Sequence, residues 1–166
     1  MAGKFLDPLI LEFLDSCQWR LVERFDFHLG TPDGRQRVIV TADFVTDFAS
    51  VPRILWPLLP PTGPYGKAAV IHDRLYRHRT IAVMTLDGNE EWQREVTRAE
   101  SDRIFLEGMG VLGVSSVIRR ALYLAVRLGG WVPWRRYRSA ERSMVNRAGR
   151  ESYFGVEVAD GHDEIE

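Results

Sequence analysis

Hydrophobic and polar positions divide the chain into an alternating first third and a later region with helical spacing. "LILEF" and "WRLVERFDFHL", within residues 9–29, mix apolar and polar positions at nearly every second residue, which predicts strands joined by a turn at "LDSCQ". "GTPDGRQ" (30–36) predicts a further turn, with Gly34 free to take a positive φ. "RVIVTADFVTDF" (37–48) is rich in β-branched residues and continues the strand pattern. Together these segments predict a small N-terminal antiparallel sheet. The next segment, "VPRILWPLLPPTGPYG" (51–66), holds five of the eight prolines, a density that neither a helix nor a central strand survives. Its Ile54, Leu55, Trp56, Leu58 and Leu59 are apolar, so it is expected to pack on the body as a rigid wall.

From residue 66 the spacing changes. Ala68, Ala69, Ile71, His72, Leu75 and Tyr76 recur at i, i+3 and i+4, which predicts a helix over 66–79 with one broad inward face. Residues 80–96 read as an excursion: "TIAVMTL" as a strand, "DGN" as a turn, and "EEWQREV" as the beginning of the next helix. Residues 97–113 predict a second helix, opened by a capping box of Thr97 and Glu100 and ended by Gly108, Gly110 and Gly113. Residues 115–131 predict a third, capped by serine and stopped by Gly129 and Gly130. The expected class is therefore α+β: one globular domain over 1–138, a small N-terminal antiparallel sheet followed by a bundle of about three helices.

Composition narrows the function classes. The chain has 166 residues, 45% of them hydrophobic and 27% charged, enough for one domain with a real core. A formal net charge of −1 provides no global field to recruit nucleic acid, which is not expected as a partner. The charge is unevenly placed. Nine arginines and one acid, Glu141, lie between Arg119 and Arg150, whereas residues 151–166 carry six acids and no lysine or arginine. Residues 139–166 are expected to form a basic-then-acidic, partly disordered tail. Cys17 is the only cysteine, which rules out an internal disulfide and fits a reducing cytoplasm. Asp7, Pro8 and Glu12 make the N-terminus a poor signal peptide. No apolar stretch approaches the roughly 18–20 residues of a membrane-spanning helix.

Three stretches carry candidate chemistry. In the helix over 66–79, His72 and Tyr76 lie one turn apart on the same side, and Asp73 points about 100° away. A histidine acting as general base needs a carboxylate behind it, and Asp102 of "AESDRIF" is placed to supply one if the two helices pack antiparallel. Asp73 is then available to a cation, with Gly63 and Gly66 able to lend carbonyls to calcium. The competing assignment pairs Asp73 with Arg77 and Asp102 with Arg98 as ordinary i, i+4 ion pairs. In "TDFASVPR" (46–53), Asp47 and Arg53 either build a turn or stand at the mouth of a His72 pocket walled by Trp56 and Tyr65; Ser50 lacks the setting of a nucleophile. In "RRALYLAVRLGGWVPWRRYR" (119–138) aromatic residues alternate with arginines. Arg135, Arg136 and Arg138 are the expected docking surface for an anionic membrane surface or a partner protein.

The motifs "FVTDFASVPRILW", "PPTGPYGKAAVIHDRLY", "RAESDRIFLEGMGVLG" and "LYLAVRLGGW", in that order over about residues 5–131, resemble an uncharacterised domain-of-unknown-function family common in tailed phages and prophages. That resemblance implies a phage-encoded protein of the host cytoplasm or the virion, with phage structural proteins among its partners, and it supplies no activity. "AAVIHDRLY" followed by "AESDRIF" is also similar to the two-helix core of the phospholipase A2 superfamily. This second resemblance implies a hydrolase acting on envelope lipid or another ester or amide. In it His72 activates water, Asp102 supports His72, Asp73 binds calcium and Tyr76 buttresses the site. The glycine-rich calcium loop of that superfamily has no counterpart here; "SVPRILWPLLP" stands in its place. The alternative is a non-catalytic virion or assembly protein, or an effector that binds a host protein, in which His72, Asp102 and Tyr76 fix a helix pair.

Overall fold

The computed structural model describes residues 3–15, 18–31, 33–48, 63–85 and 91–137. Its architecture is α+β, as the alternation and helical spacing predict. The described residues form two antiparallel sheets. The larger has five strands in the order β1 (Lys4–Phe5), β4 (Phe25–His28), β5 (Gln36–Val40), β7 (Thr80–Met84) and β8 (Glu91–Glu95). The smaller joins β2 (Leu11–Phe13), β3 (Trp19–Leu21) and β6 (Val45–Thr46). Gly34 takes φ +65° in the turn before β5, as its Asp-Gly step requires.

Alternation in the larger sheet sorts its two faces. Phe25 pairs with Val40 and Phe27 with Val38, all four fully buried, and Ile81 and Val83 continue this face on β7. The opposite face carries charge: Asp26 is held by Arg24 at 2.8 Å and Arg37 at 3.7 Å, and Arg37 also pairs with Glu91.

Three long helices follow: α1 (Gly66–His78) and α2 (Arg98–Val111) contact the larger sheet, and α3 (Ser116–Gly129) packs on α2. A short fourth, α4, spans 131–137. Thr97 caps α2 by accepting the Glu100 N–H, while the Glu100 carboxylate takes Arg94 of β8 at 2.5 Å. Glycines 108 and 110 lie inside α2, and the left-handed Gly113 (φ +72°) closes the turn after it.

One expectation is corrected. "EEWQREV" does not begin the second helix; residues 91–95 form β8, an edge strand paired along its whole length with β7. Ile81, Ala82 and Val83 are buried in β7, and β5 serves only one of its edges, so the second edge needs a ladder partner. That pairing outweighs the helix propensity of Glu and Gln. Thr97, with extended backbone (ψ 161°), fixes the start of α2 beyond it.

Residues 51–62 of the proline-rich wall and the tail over 139–166 lie outside the described residues.

Candidate functional site

The site forms where α1 lies antiparallel on α2. Small residues permit the approach: a Cβ at Gly108 would sit 3.2 Å from the Cβ of Ala68. Away from that contact, the inward face of α1 presents His72 and Tyr76 to Asp102 of α2. All three are buried, with exposures of 2%, 4% and 0%. The His72 ring lies 4.1 Å from that of Tyr76 and 4.8 Å from that of Phe105.

Asp102 is the centre of the cluster. Its Oδ1 accepts from Tyr76 Oη at 2.6 Å and contacts His72 Nε2 at 2.9 Å. Its Oδ2 accepts from Arg127 Nη1 of α3 at 2.9 Å, with Arg98 Nη1 at 3.5 Å. Arg98 also donates to the Arg127 carbonyl at 3.1 Å, tying the last turn of α3 to α2. Burial pushes the Asp102 carboxyl up, but the hydrogen bonds from His72, Tyr76 and Arg127 outweigh it and hold the group below the ordinary carboxylate range. Burial, and then donation to Asp102, raises the Tyr76 hydroxyl well above the usual tyrosine value. An ionised carboxylate only accepts, so Nε2 of His72 carries the proton in this contact. In the neutral imidazole, Nδ1 is then the basic nitrogen.

Asp73 faces the other way and is 6% exposed. The Thr46 hydroxyl donates to its Oδ2 at 2.5 Å and itself accepts the Phe48 N–H at 3.2 Å. Phe48 has φ +52°, an uncommon value for a bulky residue, and this bond helps hold it there. The Gly63 carbonyl accepts the Gly66 N–H at 2.9 Å. Among the described residues no three His, Cys, Asp or Glu side chains converge as metal ligands. Among the described residues this leaves for a cation one carboxylate, already engaged by Thr46, fewer oxygens than calcium takes.

The remaining expected residues are dispersed. Tyr65 is buried at the start of α1 and belongs to the hydrophobic core. Asp47 is half-exposed and pairs with Arg77 at 3.7 Å, so Arg77 takes Asp47 while Asp73 takes Thr46. Arg53, Trp56, Ser50 and Arg138 lie outside the described residues. Arg135 and Arg136 are exposed on α4, Arg135 stacking 5.4 Å from the Trp131 ring.

Arg127 and Thr46 are partners that the sequence reading did not single out. For Thr46 a signal existed: Phe44, Thr46 and Phe48 share one phase of the alternation and all are buried, which points Thr46 inward and Asp47 outward. Nothing in the pattern separates Arg127 from the other arginines of its helix.

An apolar cleft of about 290 Å³ opens at the start of α1, lined by Leu9, Leu11, Trp19, Phe48 and Leu112, with Lys67 on its wall.

The model of a family described as "Protein of unknown function (DUF1353)" matches residues 19–126, well over half of the chain. The match encloses His72, Asp73, Tyr76 and Asp102 and ends at Val126, beside Arg127. No curated protein and no solved structure matches the chain.

Proposed function

The chain belongs to the DUF1353 family, whose description carries no activity, and from the cluster at Asp102 we propose that it is a phage-encoded hydrolase of phospholipid or another ester or amide at the cell envelope. The observation that carries this reading is the shared oxygen. Asp102 Oδ1 takes both His72 Nε2 at 2.9 Å and Tyr76 Oη at 2.6 Å, which directs the basic Nδ1 of His72 away from the carboxylate. This is the arrangement a general base requires: an oriented tautomer and a buried anion to stabilise the imidazolium.

In the step so supported, Nδ1 removes a proton from water as the water oxygen bonds to the carbonyl carbon. The resulting imidazolium, stabilised by Asp102, gives that proton to the departing oxygen or nitrogen as its bond to carbon breaks. The products are an acid and an alcohol or amine. Asp102 remains ionised throughout, held by Arg127 and Tyr76. The cleft beside Phe48 is apolar enough for an acyl chain, and none of its lining residues belongs to the His72 cluster.

The 2% exposure of His72 favours a second reading, a non-catalytic virion or assembly protein in which the cluster staples α1, α2 and α3. Hydrolysis of anionic phospholipid vesicles by wild-type protein and by His72→Ala separates the two. Calcium and chelator arms test the metal independently of any assumed step. The hydrolase reading expects fatty-acid release that falls by about three orders of magnitude in His72→Ala while the circular dichroism spectrum is kept. Absence of release from wild type across phospholipid, ester and amide substrates, with a marked loss of stability in His72→Ala, would replace it with the stapling role.

A further inference from the structure

Helix α3 has two apolar faces, and among the described residues only one is packed into the core. Ile118, Leu122 and Val126 turn toward α2 and the core. Roughly 130° around the helix, Val117, Ala121, Leu124 and Leu128 form a second stripe at spacings of four, three and four residues. Val117 and Leu128 are each 77% exposed and Leu124 is 57% exposed. The exposed Trp131 and Val132 follow on α4.

The charge carried by α3 and α4 themselves has one sign. Residues 115–137 contain Arg119, Arg120, Arg127, Arg135 and Arg136 and no aspartate or glutamate. Arg120 flanks the stripe on the side where Arg127 is held by Asp102, and Arg135 stacks on Trp131 at its end. A second copy laid on this face would set these arginines against one another, with no acid of residues 115–137 between them. Arg119 and Arg120 line a recess between α2 and α3 with Arg103 and Glu107, while Arg135 and Arg136 stand at the opposite end of the stripe, so positive charge reaches both ends, which suits a diffuse anionic sheet better than one acidic peptide. An apolar helical face bordered by arginines, with tryptophan at its end, is the pattern of a helix lying in the boundary layer of a bilayer.

We propose that the outer face of α3, continued by Trp131 and Val132, docks the protein on an anionic bilayer surface. This deepens the envelope reading above by assigning the surface, but it stands on the exposed face and holds whether or not His72 is catalytic.

The test is co-sedimentation of the full chain with phosphatidylcholine vesicles containing about a third phosphatidylglycerol, against pure phosphatidylcholine vesicles. The expected result is binding to the anionic vesicles roughly tenfold tighter than to the neutral ones and weakening as salt rises. Leu124→Asp with Leu128→Asp should reduce it by roughly a further tenfold or more. Arg135→Glu with Arg136→Glu should abolish the preference for anionic lipid. Leu124→Ala with Leu128→Ala, a milder change at the same exposed positions, should give an intermediate loss with an unchanged circular dichroism spectrum. His72→Ala that keeps the wild-type circular dichroism spectrum should bind like wild type, so a failure of docking and a failure of catalysis read out separately. Wild type that does not sediment with the anionic vesicles would overturn the proposal, as would equal sedimentation of the Leu124→Asp, Leu128→Asp protein. A wild-type dimer that this double variant converts to monomer by light scattering would assign the face to self-association instead.

Discussion

Asp102 is a buried anion that four side chains approach, and its removal should be felt in both stability and pH dependence. Its folded pKa is depressed, so its contribution to stability is complete above the unfolded value of about 3.9 and is lost as pH falls through the lower folded value. Urea midpoints should therefore drop for wild type as the pH goes below about 4. Asp102→Asn should cost about 3–5 kcal/mol at neutral pH and show a smaller acid-side drop. Tyr76→Phe should cost about 1.5–3 kcal/mol by deleting one bond to a charged acceptor. An Asp102→Asn protein as stable as wild type, with the same acid profile, would mean that the cluster does not hold the helices together. His72, Tyr76 and Asp102 were legible as a group because helical spacing and a plausible antiparallel neighbour suffice to bring them together. Arg127 was not, because its role depends on how α3 crosses α2, which no local pattern encodes. Asp47 attracted attention as a charge in an apolar stretch, yet the strand's phase gives the inward position to Thr46.

At the scale of elements, the end of α3 is fitted to the site through a glycine. Gly130 has an ordinary helical φ of −68°, so its requirement is space rather than backbone freedom. A Cβ there would stand 2.3 Å from Tyr76 Oη and 2.4 Å from the Val126 carbonyl. Gly130→Ala should push Tyr76 off Asp102 and cost about 1–3 kcal/mol. Adding Tyr76→Phe should cost less in that background than in wild type, because the bond is already lost. Full additivity in this double-mutant cycle would uncouple Gly130 from the cluster. The same sequence pattern read Gly129 and Gly130 as a helix stop. That is where α3 ends, but the close approach to Tyr76 was invisible before the helices were placed. The strand at 91–95 failed to announce itself for a related reason: its residues favour a helix in isolation, and only the open edge of β7 makes them a strand.

Across the whole molecule, distant parts of the chain converge on one layer of helices. The Glu107 carboxylate of α2 accepts backbone N–H groups from Gly3 at 3.1 Å and Gly30 at 2.8 Å, fastening that layer to the larger sheet. Arg79, at the end of α1, donates to the Trp134 carbonyl and stacks on its ring at 4.4 Å, fastening α4 to the same layer. The α+β class and the three long helices were legible because their periodicities are local. The division of the strands into two sheets was not, since it is decided by pairing between residues far apart in sequence. Among the described residues no helix is long and apolar enough to cross a membrane. The envelope is reached, in the reading developed above, through the exposed face of α3, while chemistry rests on one nitrogen of His72. The most direct measurement is therefore an NMR determination of the tautomer of the neutral His72 ring, in wild type and in Asp102→Asn. A proton on Nε2 in wild type, and loss of that preference in Asp102→Asn, is the predicted result. A neutral wild-type ring carrying its proton on Nδ1 would contradict it, for His72 would then have no basic nitrogen turned away from Asp102.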